Sequence, residues 1–495
     1  MATKPVLLGR STKTTVDNTA RHQVVLPGTP SVDFVLTTPC LIVNVGARIS
    51  MTAADLPGES GGTYTWSSPS TKIQLVNTTG GTLVVKALAA PSAARDAETI
   101  TVTRTAPDGS TKVKTVSLTV AKVTFSPAAT QKYGYDDFDT PLVLDDDHLS
   151  VKSSGDTLVN VKIEGGALGS DFNFVAVDPT VCTCDPAPGT ATFDLTVHAK
   201  TWQKKASVLQ AKVKCPSAAV FAKITVHVYT EKVVKVLVAK VADSASAGTT
   251  LTYATADYAA HQAPANDKLK EAVVKYEITN FDAANNVTNV AFDTDASGAL
   301  SYDINNGGGA EFNLIKAAVT STVAGQFRVV IIKEMKSYYY LSVAAAVGDT
   351  TITVRGANVF QAPMVLDSGA NKETVTVTGN TGNVGTLSAP LAFAHPVGTK
   401  VEFPAAGWGN DPIMIAEGSA TLDVTKWTIL HEVGHRALEL MDIVDTKDFM
   451  HFSQANTDYR LRFCPRVSKY KPGVKENQWD KIPRPAVPRP ATRAR

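Results

Sequence analysis

Short alternating runs separated by turn residues constrain this chain more than any other feature. The segments TYTWSSPSTKIQLV, GTLVVKALA, ETITVTRTA and KVKTVSLTVAKVTF are each alternating or β-branched, and Gly, Pro, Asn, Asp or Ser separates them. The turn signals recur about every ten residues, which is the spacing of a β-sandwich. Residues 36–125 read as one such sandwich. Residues 126–232 read as a second, closing on AKITVHVYTEK, and 1–35 as an N-terminal segment. A sandwich specifies no chemistry by itself, so the expectation for both is a spacer or interaction scaffold.

The 495 residues exceed what one hydrophobic core can serve, so several domains are expected. A net charge of +2 with 19% charged residues points to neither nucleic acid nor a membrane surface as partner. No apolar run reaches the roughly 18 residues that a spanning helix needs. The N-terminus, MATKPVLLGRSTKTTVDN, has no apolar stretch of signal-peptide length. The chain is therefore expected to be made in the cytoplasm and then secreted or injected by a non-classical route. The end, KIPRPAVPRPATRAR (481–495), is basic and proline-rich and reads as a solvated, extended tail. Five cysteines stand at 40, 182, 184, 215 and 464. Cys182 and Cys184 are too close to bridge each other comfortably, and no disulfide framework is expected, although Cys215 could reach one of that pair.

The texture changes at 233. KVVKVLVAKVA reads as a buried strand, the Ala/Lys/Glu-rich TYATADYAAHQAPANDKLKEAVVKYEI as a helix interrupted by Pro264, and QFRVVIIKEM as another buried strand. Strand–helix–strand order marks an α/β domain, read as 233–346 and 404–480. Between these halves, the Gly/Thr/Val-rich residues 347–403 read as a small all-β insertion, with His395 as a surface histidine. Tyr338, Tyr339 and Tyr340 read as the end of a strand.

The chemistry concentrates in ILHEVGHRALELMDIVDTKDFMHF. From Val424 to Met441 the pattern is helical, with an apolar stripe through Trp427, Leu430, Gly434, Ala437 or Leu438, and Met441. Asp423 or Thr425 is the expected N-cap. His431 and His435, four residues apart, lie one turn apart on one face and can share one metal ion. Glu432, beside that face, can take a proton from metal-bound water without being a ligand. The expected cofactor is one catalytic Zn2+. A third protein ligand is required, and the candidates are Asp442, His451 and Asp445. A helix running straight through Asp442 would put it about 10.5 Å along the axis from His435. To bring Asp442 to the ion, the helix must therefore stop near Glu439–Met441 and turn back.

These residues resemble the metzincin group of zinc peptidases, and the extra residue in His-Glu-x-x-His-x-x-x-x-Leu-x-Asp resembles its IgA-peptidase-like members. Leu440 and Asp442 match that pattern, whereas Ile443 and Val444 depart from it. Many metzincins carry glycine three residues after the second histidine; this chain has Leu438 there, and Met441 at the usual third-ligand position. The resemblance implies that DFMHF is a methionine turn with Met450 beneath the metal, and that Tyr459 helps to stabilise the oxyanion. Residues 36–125 resemble bacterial Ig-like domains, with Trp66 as the core tryptophan. The insertion is similar to small β modules of surface and phage-tail-like proteins. The C-terminal stretch is similar in texture to the ends of peptidase toxins delivered by contractile or type VI secretion machines.

The fold class expected is thus multidomain: Ig-like β-sandwich modules, then an α/β metzincin-like zinc peptidase domain with a β insertion. One functional expectation is a zinc endopeptidase, exported as a toxin or effector, acting on proteins or on peptidoglycan peptides and carried by a secretion-apparatus spike. The other is a structural or adhesive protein, such as a tail-spike or surface component, with a degenerate peptidase domain. Bound zinc and a dependence of proteolysis on Glu432 would separate the two.

Overall fold

The computed structural model describes residues 33–485 except 39, 58, 89–96, 137–146, 245–250, 252–255, 281–287, 357–362, 368, 406, 409–410, 418–421, 442–449, 451–465 and 468–474. One compact unit ends at Tyr229, and a second begins at Thr230.

The first unit is all β. Its leading strands are β1 (Phe34–Thr37), β2 (Ile42–Asn44), β3 (Arg48–Asp55), β4 (Thr63–Ser67), β5 (Ile73–Leu75), β6 (Thr82–Ala87), β7 (Ala97–Thr105) and β8 (Thr111–Pro127). They form two facing layers, one ordered β1-β3-β6-β5 and the other built on β8, β7 and β4 with β2 parallel to β8. Alternation does the sorting: β4 reads exposed–buried–exposed–buried–exposed, which sends Tyr64 and Trp66 inward. Trp66 is buried, and its indole N–H donates to the Gly80 carbonyl at 2.8 Å, so the polar edge of the ring costs nothing to bury.

The second half of this unit comprises β9 (Tyr135–Asp136), β10 (His148–Lys152), β11 (Asp156–Glu164), β12 (Phe172–Ala176), β13 (Cys182–Cys184), β14 (Thr192–Ala199), β15 (Lys204–Val213) and β16 (Val220–Tyr229). One layer is β12-β15-β16-β10-β9; the other is β13-β14-β11, joined directly to β8. The border read at 125/126 therefore falls inside β8. Thr111–Thr119 of that strand pairs with β7, and Lys122–Pro127 pairs with β11. Its Leu118 and Val120 belong to the first core, and Ala121, Val123 and Phe125 to the second.

The cysteines differ from expectation. Cys40 and Cys215 form a disulfide across a sequence separation of 175, while Cys182 and Cys184 are free thiols. Cys40 follows β1 in sequence, yet it belongs to the second core, and this brings it to Cys215 beyond β15. Asn44 Nδ2 adds a bond to the Phe221 carbonyl at 3.2 Å across the same join.

The second unit opens with β17 (Lys232–Asp243), α1 (Ala256–Leu269), β18 (Val274–Asn280), β19 (Thr288–Val290), β20 (Leu300–Asp303), α2 (Gly309–Ala318), β21 (Phe327–Ile332) and β22 (Met335–Tyr340). The insertion contributes β23 (Thr351–Thr353), β24 (Met364–Asp367), β25 (Glu373–Val375), β26 (Val377–Thr381), β27 (Val384–Leu387) and β28 (Lys400–Pro404). β29 (Gly407–Trp408), β30 (Ile413–Ala416), α3 (Leu422–Leu438), β31 (Arg466–Val467), β32 (Lys475–Glu476) and α4 (Gln478–Lys481) complete the unit. The central sheet is ordered β18-β17-β21-β30-β29. All its neighbours are parallel except the edge strand β29, which runs antiparallel to β30. Helices α1, α2 and α3 lie in the connections that follow β17, β20 and β30.

Pro264 lies inside α1 and does not end it. A mid-helix proline costs about 3 kcal/mol or more. Contacts beyond the helix offset that cost: Ala265 and Leu269 are fully buried. Asn266 Oδ1 accepts from Tyr276 N at 2.6 Å, and Gln262 Oε1 accepts from Ile278 N at 2.8 Å. These two amides cover the open edge of β18, which would otherwise present bare N–H groups.

The insertion is hydrogen-bonded to its flanks. β28 pairs antiparallel with β22, and β22 pairs parallel with β20, so this sheet begins well before residue 347. LSVAAAVG (341–348) and LAFAHPVG (391–398) meet in reciprocal bonds. Ala345 and His395 exchange N–H···O bonds at 2.8 Å, and Gly348 N to Leu391 O and Gly398 N to Leu341 O are both 2.9 Å. His395 therefore occupies the position equivalent to buried Ala345. It is not a surface residue: it is 1% exposed, and its Nε2 lies 2.7 Å from Glu373 Oε1.

The expected solvated tail also needs correction at its start. Ile482 is buried, and the Arg484 guanidinium donates to the carbonyls of Ala272, Val273, Thr230 and Trp479. A planar fork with five donors can gather several backbone acceptors at once. Residues 486–495 lie outside the described residues.

Candidate metal centre

Helix α3 follows β30 and packs on β21, β29 and β30. Strand alternation gives the central sheet two apolar faces. Val330, Ile332, Met414 and Ala416 join Phe312 and Ile315 of α2 in one core. The alternate residues Val329, Ile331, Ile413 and Ile415 are equally buried. Among the described residues of α3, Ile429, Val433, Gly434, Ala437 and Leu438 form a buried stripe at three- to four-residue steps, with Thr428 and His431 buried beside it. Gly434, Ala437 and Leu438 of the expected stripe are buried, but Ile429 takes the place expected for Leu430, which is half-buried. Asp423 and Thr425 fall within the helix, because α3 already begins at Leu422.

His431 and His435 stand at one border of the buried arc. His431 is buried, and Glu432 and His435 are half-buried. Their ring centroids are 4.6 Å apart with the planes at 88°, and the two Nε2 atoms lie 3.1 Å apart. His435 Nδ1 lies 2.8 Å from the Leu440 carbonyl oxygen. A carbonyl only accepts, so Nδ1 carries a proton, and in the neutral ring the lone pair of His435 is then on Nε2. Two nitrogens bound at about 2.0–2.1 Å to one tetrahedral ion would be about 3.3 Å apart. The observed separation, the perpendicular rings and the assigned tautomer therefore fit a shared ion.

The helix ends close to the stop that a ligand role for Asp442 would need. Leu438 is its last residue, Glu439 takes a left-handed conformation at φ 58°, and Leu440 N donates back to Gly434 O at 3.2 Å. Met450 is fully buried. Asp442, Asp445, His451 and Tyr459 lie outside the described residues. The end of β30 that leads away from the helix is tied down by Arg328, whose Nη2 and Nε reach the two carboxylate oxygens of Asp411 at 2.7 and 2.9 Å. That guanidinium holds the Asp411 carboxyl below its ordinary range, while its Nη1 donates to the Val319 carbonyl beyond α2.

Sequence reasoning missed one cluster. Asp293, Asp295 and Glu311 each bring a carboxylate oxygen within 4.8 Å of the others. The spacing D-x-D-x-S-G of residues 293–298 is a signal that could have found them, since oxygen-rich metal loops use it. Backbone donors already serve these oxygens. Glu311 accepts from the amides of Thr294, Asp295 and Ser301, and Asp293 accepts from those of Ser297 and Gly298.

No protein-family model matches the chain. A search of curated proteins gives no match either. Among solved structures the chain is similar to the fibronectin(III)-like modules of Clostridium thermocellum CbhA, with TM-score 0.21 and 11% identity over 39% of this chain and 93% of that one. It is also similar to tandem Ig repeats of Dlar (TM-score 0.15, 13% identity, 39% and 94% covered) and to the insect immune protein hemolin (0.18, 14%, 43% and 49%). The strand orders and the two separate cores make the first unit a pair of β-sandwiches.

Proposed function

We propose that the protein is a zinc-dependent endopeptidase whose centre is His431, Glu432 and His435 on α3, with Asp442 as the third protein ligand. The observation that carries this reading is the Nε2–Nε2 separation of 3.1 Å, together with the Nδ1 of His435 engaged by Leu440 O. When bound, zinc supplies Lewis acidity, which lowers the pKa of water at an open position toward 7. Glu432 lies next to one ligand in sequence and is half-buried, and its carboxylate receives the proton released in the attack. His451 and Asp445 are the alternative third ligands, and Tyr459 is the proposed oxyanion partner.

Strand β29 favours a peptide substrate. It is a two-residue antiparallel edge strand that contacts α3, and among the described residues it pairs only with β30. An extended peptide can add to such an edge through backbone hydrogen bonds. The sandwiches then serve as the delivery or anchoring part of an exported toxin or effector carried by a secretion spike, and peptidoglycan peptides are an alternative substrate. The competing reading, an adhesive or structural protein, draws on the two sandwiches that fill the first unit. The test is metal analysis with cleavage of a mixed peptide library, run beside Glu432→Gln. The variant should keep zinc and fold and lose about 10²–10⁴ in rate. Wild-type cleavage by Glu432→Gln would sink the mechanism; zinc-free, well-folded protein would favour the adhesive reading.

A further inference from the structure

In this chain the residue three after His435 is Leu438, and it is helical and fully buried. The left-handed residue comes one position later and is not glycine: Glu439, at φ 58°. Left-handed backbone is unfavourable for a residue with a side chain, so something must hold it there. Two bonds do so. Leu440 N donates to Gly434 O at 3.2 Å, and Leu440 O accepts from His435 Nδ1 at 2.8 Å. The buried Leu440 side chain, 3% exposed, anchors the same residue. The turn thus sets a backbone carbonyl against one nitrogen of His435 and leaves the other nitrogen facing His431. The reversal stands four residues after His435 rather than three. The same one-residue displacement separates Asp442 from Met441 in the sequence.

We propose that Glu439 is a positioning residue. Through its left-handed turn it holds the Leu440 carbonyl on His435 Nδ1, and so fixes the tautomer in which His435 Nε2 is the metal-binding atom. This inference rests on the proposed metal role of α3. A ligand histidine whose outer nitrogen is held in this way binds more tightly, and loss of such a partner costs about 10- to 100-fold in metal affinity.

The test uses the full chain, ¹⁵N-labelled at histidine, with zinc alone as probe. In zinc-free wild type, the ring-nitrogen shifts of His435 should report the Nδ1–H tautomer. Glu439→Gly, which suits the left-handed region, should keep that tautomer and hold zinc within about threefold of wild type in chelator competition. Glu439→Val, whose β-branched side chain disfavours the region, should mix the tautomers and weaken zinc about 10- to 100-fold. Equal zinc affinity in the Val variant and wild type would overturn the proposal, as would an Nε2–H tautomer in wild type whatever the variants do. If wild type binds no zinc but His435 is still Nδ1–H, the positioning stands and the proposed function falls.

Discussion

Breaking the Cys40–Cys215 bond should lower the melting temperature of the first unit without unfolding it at room temperature. The bond closes a loop across a sequence separation of 175. In the chain-entropy view, a loop of that length removes about 5 kcal/mol of freedom from the unfolded state at 25 °C. Measured losses for native disulfides run at about 2–5 kcal/mol, so the entropic figure is the upper end. For a domain of this size each kcal/mol moves the melting temperature by about 2–4 °C, which gives a fall of roughly 4–20 °C. Contacts across the join persist without the bond, among them Asn44 Nδ2 to Phe221 O, so the folded state survives. Calorimetry of the oxidised protein, with and without a dithiol reductant, reads the shift. The double variant Cys40→Ser/Cys215→Ser should melt like the reduced protein and ignore reductant. Alkylation followed by mass spectrometry should leave Cys40 and Cys215 unlabelled until reduction. Cys182 should label only on unfolding, because burial pushes its thiol up to about 12. Equal melting temperatures for oxidised wild type and the double variant, or labelling of native Cys40, would refute the reasoning.

Two further outcomes are expected. Asp442→Ala should weaken zinc by orders of magnitude, whereas Asp445→Ala and His451→Ala should do much less; a chelator titration decides, and a large loss confined to His451→Ala would move the third ligand there. Burial pushes the Glu373 carboxyl up, but bonds from Ala392 N, His395 and Phe393 N outweigh burial and hold it below its ordinary range. Its stabilisation is therefore complete above the unfolded carboxylate pKa, near 4.3, and is lost as pH falls through the lower folded value. The Tm gap between wild type and Glu373→Gln should be widest at neutral pH and close on acidification; a gap that stays constant down to pH 3 would contradict this.

Much of the architecture is legible because alternation and burial share a period. The inward Trp66 and the buried strands β17 and β21 follow from residue order alone. The features that escape are those decided by a distant partner. Pro264 reads as a helix break because local cost is visible in sequence and tertiary compensation from Tyr276 and Ile278 is not. His395 reads as exposed because its partner Glu373 is 22 residues away. Cys40 and Cys215 give no spacing signal at all. At the candidate metal centre the His431–His435 pair is legible from its four-residue step, and a stop near Glu439 is what a ligand role for Asp442 would need. The residue that makes the turn is not legible, since glutamate carries no preference for left-handed backbone.

The shared strand β8 has a consequence for how the first unit fails. Its 17 residues span about 58 Å and carry pairings for both sandwiches. The cores change hands between Val120 and Ala121, where the chain is still paired and no joint exists to bend or cut. A nick or a misplaced proline between Leu118 and Phe125 would strip hydrogen bonds from β7 and β11 together. The two sandwiches are thus bound to a common fate, and neither half can be lent to another chain without carrying away an edge of its neighbour.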